Sequence, residues 1–190
     1  MSRAKSAFAR GFTLIELIVV VFIIGLVAAG AVVVFGGDRR DTELEKEAQR
    51  LDALLNYVRE QAELQTRDYG FRANMTSYSF VVFDILANEW RPAEEDDALR
   101  ERNLPRGIRP AMVVEGRRIV LDTKKKDVED FKPQVMIFAN GDLSSFEVTL
   151  EREGGKDRAR IFTDEQTNIL LVMPGETEPT RPAPRMAKSR

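Results

Sequence analysis

The chain has 190 residues, with 29 Lys and Arg against 31 Asp and Glu, and it contains neither Cys nor His. That composition excludes disulfides, thiolate chemistry, Ser-His triads and the usual zinc sites. A net charge of -2 gives no global pull toward nucleic acid or acidic lipid, and the length fits one domain with appendages.

Residues 1–11 carry Arg3, Lys5 and Arg10 and no acid. Phe12 to Phe35 follows, 24 residues that are nearly all apolar. As a helix this run is about 36 Å long, enough to cross a hydrocarbon core of about 30 Å. The basic flank predicts a cytoplasmic N-terminus and export of everything from residue 38 onward. An ordinary signal peptide has a shorter apolar stretch and a small-residue cleavage site after it. Here the distinctive junction, Gly11-Phe12, lies before the run. A cut there removes the leader and leaves the hydrophobic helix on the mature chain. Glu16 sits inside this run, where a carboxylate costs about 2.5–3.5 kcal/mol at mid-membrane. Two readings are open: snorkelling to the nearby headgroups, or pairing with a cation supplied on assembly.

Gly36-Gly37-Asp38 closes the apolar run and reads as a joint, because paired glycines weaken a helix. A second helical pattern follows, with Thr42 and Glu45 spaced as a capping box. Leu44, Ala48, Leu51, Leu55, Val58 and Ala62 recur at steps of four and three, which puts them on one face and charged residues such as Glu45, Glu47, Arg50, Arg59 and Glu60 on the others. This stripe is expected to pack on the protein's own sheet. A contact with other subunits is the second reading, and both hold if the start of the stripe stays free.

After Arg67 the pattern changes to strands. Tyr78–Phe83 is aromatic and β-branched, and Ile119–Leu121 and Val135–Phe138 are short apolar runs. Phe146–Glu151 alternates as a half-buried strand does. Asn140-Gly141 signals a hairpin between two such runs. Gly154-Gly155 reads as another turn, before strands around Ala159–Phe162 and Ile169–Met173. About a hundred residues of antiparallel structure on one helix suffice for a single core. From Pro174 the tail is proline-rich with few apolar residues, and disorder is expected there.

Catalytic patterns are missing: there is no P-loop, no Gly-x-Gly-x-x-Gly and no Gly-x-Ser-x-Gly. No enzyme, cofactor or metal is expected. Glu94-Glu95-Asp96-Asp97 lacks the alternating ligand spacing of a calcium loop and reads as a solvated acidic turn. Residues 98–126 hold nine Lys or Arg against three acids, ending in Lys124-Lys125-Lys126. That cluster reads as a solvated basic stretch, or as a contact for phosphates or an acidic partner.

Arg10-Gly11-Phe12-Thr13-Leu14-Ile15-Glu16 resembles the processing site of type IV pilins and type II secretion pseudopilins. The resemblance implies cleavage by a prepilin peptidase between Gly11 and Phe12, and N-methylation of Phe12. It also implies that Glu16, fifth in the mature chain, pairs with the N-terminal ammonium of a neighbouring subunit during assembly. Many pilins carry a proline within this helix; none occurs here, so no fixed kink is expected. Gln65, Tyr69-Gly70-Phe71, Tyr78, Trp90, Leu99-Arg100, Leu104-Pro105-x-Gly107, Pro133-Gln134, Phe138, Gly141 and Phe146 resemble the periplasmic domain of the H-type minor pseudopilins. Ala139 and Ser144 depart from that pattern. Tyr78, Trp90 and Phe146 each read as packing residues.

The implied fold is α+β and type IV pilin-like, a long N-terminal hydrophobic helix packed against a C-terminal antiparallel β-sheet or sandwich. The implied organisation is leader 1–11, transmembrane and assembly helix 12–35, amphipathic continuation 36–67, periplasmic β domain 68–173 and tail 174–190. The implied role is a structural subunit near the tip of an inner-membrane-anchored pseudopilus that exports folded proteins. Its partners would be the other minor pseudopilins, the major pseudopilin, the prepilin peptidase and the inner-membrane assembly platform, with no nucleic acid. The alternative is a minor type IV pilin for pilus assembly or DNA uptake, using Arg181, Arg185, Lys188 and Arg190.

Overall fold

A computed structural model of the chain describes residues 14–123 and 131–179, with the backbone alone over 26–41. The order is helix α1 (Leu14–Gln65), then β1 (Tyr69–Ala73), β2 (Ser77–Asp84), β3 (Glu89–Pro92), a 3-10 turn (Asp97–Leu99), β4 (Arg102–Asn103), β5 (Ile108–Val114), β6 (Arg117–Ile119), β7 (Val135–Ile137), β8 (Phe146–Arg152), β9 (Arg158–Thr163) and β10 (Ile169–Val172). Two units divide the chain, Met1–Arg40 and Asp41–Arg190.

The joint expected at Gly36-Gly37 does not interrupt α1, which runs through both glycines. Glycine lowers helix propensity by about 1 kcal/mol relative to alanine but keeps its N–H and C=O, so the hydrogen-bond ladder can continue. Thr42 and Glu45 therefore lie within the helix rather than at its start. No orphan N–H groups remain there to be capped, and the expected capping box has no role.

In the second unit the helical stripe is buried along its whole length. Leu44, Ala48, Leu55, Val58 and Ala62 are 0% exposed and Leu51 1%. The start of the stripe, at Leu44, is covered as completely as its end, so it is not left free for another subunit. The cover comes from one core shared by the helix and strand residues such as Phe71, Tyr78, Phe80, Val148 and Ile161.

The β structure forms two five-stranded sheets. The first has the order β3-β2-β1-β7, with β4 also on β2; the second is β10-β9-β8-β5-β6, and every pairing is antiparallel. Alternation sets the second sheet: Phe146, Val148 and Leu150 of β8 point inward, opposite Val114, Met112 and Pro110 of β5. Pro110 obscured β5 in the sequence, since proline lacks a ladder N–H. At that position β5 has only β8 beside it, because β6 pairs with Met112 to Val114 alone.

Asn140-Gly141 does turn the chain, but it does not join β7 to β8, which belong to different sheets. The Gly141 N–H donates to the Phe138 carbonyl at 2.8 Å, and a single bridge, Ile137 to Leu143, follows. The chain then leaves for the second sheet. Gly154-Gly155 joins β8 to β9 as expected. Gly141 holds φ +85, and a side chain there would run into Glu63. At Gly70 an added Cβ would collide with the ring of Pro133, which lies across β1.

Candidate functional site

Glu16 lies in the first turn of α1 among exposed apolar residues. The apolar residues from Leu14 to Ile24, with Val19, Val20 and Ile23 opposite Leu14 and Ile18, are between 43% and 77% exposed, and together they cover every side of the helix. A helix that is apolar all round is stable only when lipid or other protein surrounds it. An acid in the first turn also suits the positive end of the helix dipole. Gly11 and Phe12 lie outside the described residues. Among the described residues no helix is long and apolar enough to cross a membrane; the apolar run's remainder, from residue 26 to Phe35, has no described side chains.

A second glutamate on the same helix has a different setting. Glu47 is 2% exposed, on the face that meets the sheets. The Tyr78 hydroxyl donates to its Oε1 at 2.7 Å, and Arg50 Nη1 donates to Oε2 at 3.0 Å. Burial, then the bond to Glu47, push the Tyr78 hydroxyl well above the ordinary tyrosine range. Both oxygens of this buried carboxylate are thus engaged within the chain, as burial of a polar group requires. Periodicity alone had left Glu47 among the outward charges. The spacing from Leu44 to Ala48 brackets it, and that was the available signal.

The residues behind the H-type resemblance have structural reasons. Gln65 accepts from the Tyr69 hydroxyl at 2.9 Å as α1 ends. Gln134 extends β7 with its side chain: Oε1 accepts from Ala73 N at 2.9 Å and Nε2 donates to Ala73 O at 3.0 Å. Gly107 has φ +79, a conformation glycine adopts freely. Tyr78 and Phe146 are buried as expected, whereas Trp90 is half-buried, stacked at 5.2 Å on Phe83.

The acidic run is used locally. Asp96 Oδ2 accepts from the Tyr57 hydroxyl at 2.6 Å while its Oδ1 caps Ala98 N, and Asp97 pairs with Arg100 at 2.7 Å. Among the described residues no group of acids could hold a metal ion. The basic stretch does not converge either. Arg109 pairs with Glu153 at 2.7 Å, Arg102 donates to the Ala98 carbonyl, and Arg117 and Arg118 lie on edge strand β6. Lys124, Lys125 and Lys126 lie outside the described residues, as do Arg181, Arg185, Lys188 and Arg190. A cleft of about 750 Å³ on the outward face of the second sheet mixes Arg118, Lys156 and Arg158 with Glu147, Glu151 and Asp157. Glu147 is already held there by Arg160 at 2.9 and 3.0 Å. Mixed charge of this kind offers no single-sign field for a phosphate backbone.

The described residues therefore combine an exposed apolar helical segment with a separate helix-on-sheet domain. Residues 47–166 match the family model described as type II transport protein GspH, and residues 7–32 match the prokaryotic N-terminal methylation motif. The chain belongs to the GspH family. It is 34% identical to type II secretion system protein H of Pseudomonas aeruginosa over 167 residues, covering 86% of this chain and 95% of that protein. The protein of the same name from Aeromonas hydrophila is 32% identical over 175 residues, covering 88% of this chain and 96% of that one. The solved structure of the minor pseudopilin EpsH of Vibrio cholerae shares the fold, with a TM-score of 0.61 at 19% identity, over 72% of this chain and 99% of that one. This GspH-family chain is thus a minor pseudopilin of the type II secretion system. The DNA-uptake alternative is not favoured: the relatives matched are secretion proteins, and Arg100 and Arg109 of the basic stretch are each held by an acid.

Proposed function

We propose that this subunit is held in the bacterial inner membrane by residues 12–35, with its N-terminus cytoplasmic and residues 68–173 in the periplasm, and that it joins the pseudopilus near its tip. The amphipathic continuation, residues 36–67, links the two, and residues 174–190 form a tail beyond the domain. A prepilin peptidase cuts between Gly11 and Phe12, and the new Phe12 amine is methylated. The subunit is then drawn from the membrane, through the assembly platform, into contact with other minor pseudopilins and the major pseudopilin. The pseudopilus acts as a structural device for export of folded proteins, so the role assigned to this chain is structural rather than enzymatic.

The observation that carries this reading is the uncovered apolar segment with Glu16 in its first turn. In the precursor Glu16 lies six residues after Arg10, about 9 Å along a helix, close to the cytoplasmic headgroups. Drawn outward into a filament, the carboxylate enters a drier setting and needs a cation. The ammonium on Phe12 of an adjacent subunit is the group that the cut creates. Intact-mass analysis of the membrane-extracted protein tests the first step: the expected N-terminus is methylated Phe12, and a chain still starting at Met1 overturns it. Gly11→Val is expected to retain the leader, because a branched side chain does not fit where the peptidase meets glycine.

A further inference from the structure

The turn between β2 and β3 breaks the rule that hairpin tips are polar. Its residues are Ile85, Leu86, Ala87 and Asn88, and Ile85 is 71% and Leu86 99% exposed. Four other turns, at Glu115-Gly116, Asn140-Gly141, Gly154-Gly155 and Glu165-Gln166, are built from the expected polar residues and glycine, and the one apolar residue of the β1–β2 turn, Met75, packs against the core. Large aliphatic side chains at a loop tip gain nothing within the chain and lose contact with water-free surroundings.

This tip is also rigid. Asp84 Oδ1 accepts from Leu86 N at 2.9 Å and from Ala87 N at 3.0 Å, and Asn88 closes the turn at φ 54. Arg91 then fixes Asp84 Oδ2 at 3.0 Å and Glu89 Oε1 at 2.8 Å. Beneath the tip Phe83 and Trp90 stack on the sheet face turned away from α1. The same end of the domain receives the end of α1, where Leu64 is 71% exposed, and Asp68 of the turn into β1 accepts from Ala139 N beside Phe138. A preorganised apolar projection loses little freedom when it is buried, which is the property of an interface anchor.

We propose that Ile85 and Leu86 are the anchor by which this domain docks into an apolar hollow on the periplasmic domain of an adjacent pilin-like subunit. The proposal rests on the filament role above and names the contact surface for it. Two features select this occupant. A filament grows by contacts between two different patches on neighbouring subunits, and an apolar projection on the head domain supplies such a patch besides the N-terminal helix. The tip's flanks, Asp84 and Glu89 with Arg91 between them and Arg67 near Asp84, carry no net positive charge to attract anionic headgroups, which disfavours a lipid surface.

The test uses the full chain in cells that hold the complete secretion apparatus. A benzophenone side chain placed at position 86 is expected to form adducts with another pseudopilin, while the same probe at position 166, in the β9–β10 turn, is not. Adducts to lipid, or adducts from position 166 alone, overturn the proposal. In detergent extracts, Ile85→Glu with Leu86→Asp is expected to lower co-purification of the other pseudopilins at least about tenfold, with Leu86→Ala in between. Leader cleavage, membrane anchoring and Trp90 emission should be unchanged, which separates lost docking from lost folding. If the unmutated chain co-purifies with pseudopilins and the double variant does so equally, the tip assignment fails while the filament role stands. If the unmutated chain captures none, the filament role fails with it.

Discussion

Two stretches of the same helix end in opposite surroundings. Between Leu14 and Ile24 the apolar side chains point in all directions and stay exposed; between Leu44 and Ala62 they form one stripe and are buried. The difference lies in distribution rather than amount. A stripe can be satisfied by the chain's own sheets, whereas an all-round apolar surface can be satisfied only by surroundings that the chain does not supply. The two glutamates repeat the contrast. Glu47 finds Tyr78 and Arg50 within its own domain. Glu16 lies in the segment whose cover comes from outside, and on the proposed reading its assembly partner comes from there too.

Breaking this contrast at Glu16 should give the largest effect. Glu16→Val makes the segment more apolar, so insertion and cleavage should proceed normally. On the proposed pairing it would leave the neighbouring ammonium buried without its partner, worth about 3–5 kcal/mol. Crosslinking to the major subunit and secretion are therefore expected to be lost. Normal incorporation of the variant would reduce Glu16 to a tolerated membrane-edge residue. Glu47→Gln should behave oppositely, with normal incorporation.

The second effect belongs wholly to the buried half. Phe71 is 0% exposed and packs against Tyr78 and Phe80, with ring centroids 6.1 and 5.5 Å away. Phe71→Ala should destabilise the domain by about 3–5 kcal/mol. Denaturant unfolding followed by the emission of Trp90, the one tryptophan, measures it. The proposed cleavage between Gly11 and Phe12 should be unaffected, since Phe71 lies in the other unit.

A smaller change tests the buried carboxylate. Tyr78→Phe removes the donor to Glu47 and should lower stability by about 1–3 kcal/mol. The same tyrosine sets an alkaline limit. Its folded-state pKa is raised above the ordinary 10.0, so its contribution is full below that value and is lost as the pH rises beyond it. Unfolding midpoints of the unmutated chain should thus fall more steeply above pH 10 than those of Tyr78→Phe.

The smallest effect is expected on the outward face of the second sheet. Arg160 donates twice to Glu147 and holds its carboxyl below the usual range. That contribution is full above 4.5 and is lost as the pH falls below it. Because the pair is about a third exposed or more, Glu147→Gln should cost less than about 1 kcal/mol near neutrality. The gap to the unmutated chain should close in acid. A cost several times larger would mean that this face is covered in the assembled state studied.

Local patterns were legible without a structure because each acts through neighbours in sequence. The Gly11-Phe12 junction and Glu16 fall within the stretch, residues 7–32, that matches the prokaryotic N-terminal methylation motif. The stripe from Leu44 to Ala62 follows from 3.6-residue geometry, and the alternation in Phe146–Glu151 from the two-residue repeat of a strand. The α+β class followed from these. What needed the tertiary structure was every choice between distant partners. Only packing decided that the strands sort into two sheets and that Pro110 is tolerated where β5 has one neighbour. Packing also decided that Glu47 points inward to Tyr78, 31 residues away, and that Asp96 serves Tyr57, 39 residues away. Such contacts are individually small and non-local, so they leave no periodic trace in the chain. They emerge only when the whole core selects one arrangement.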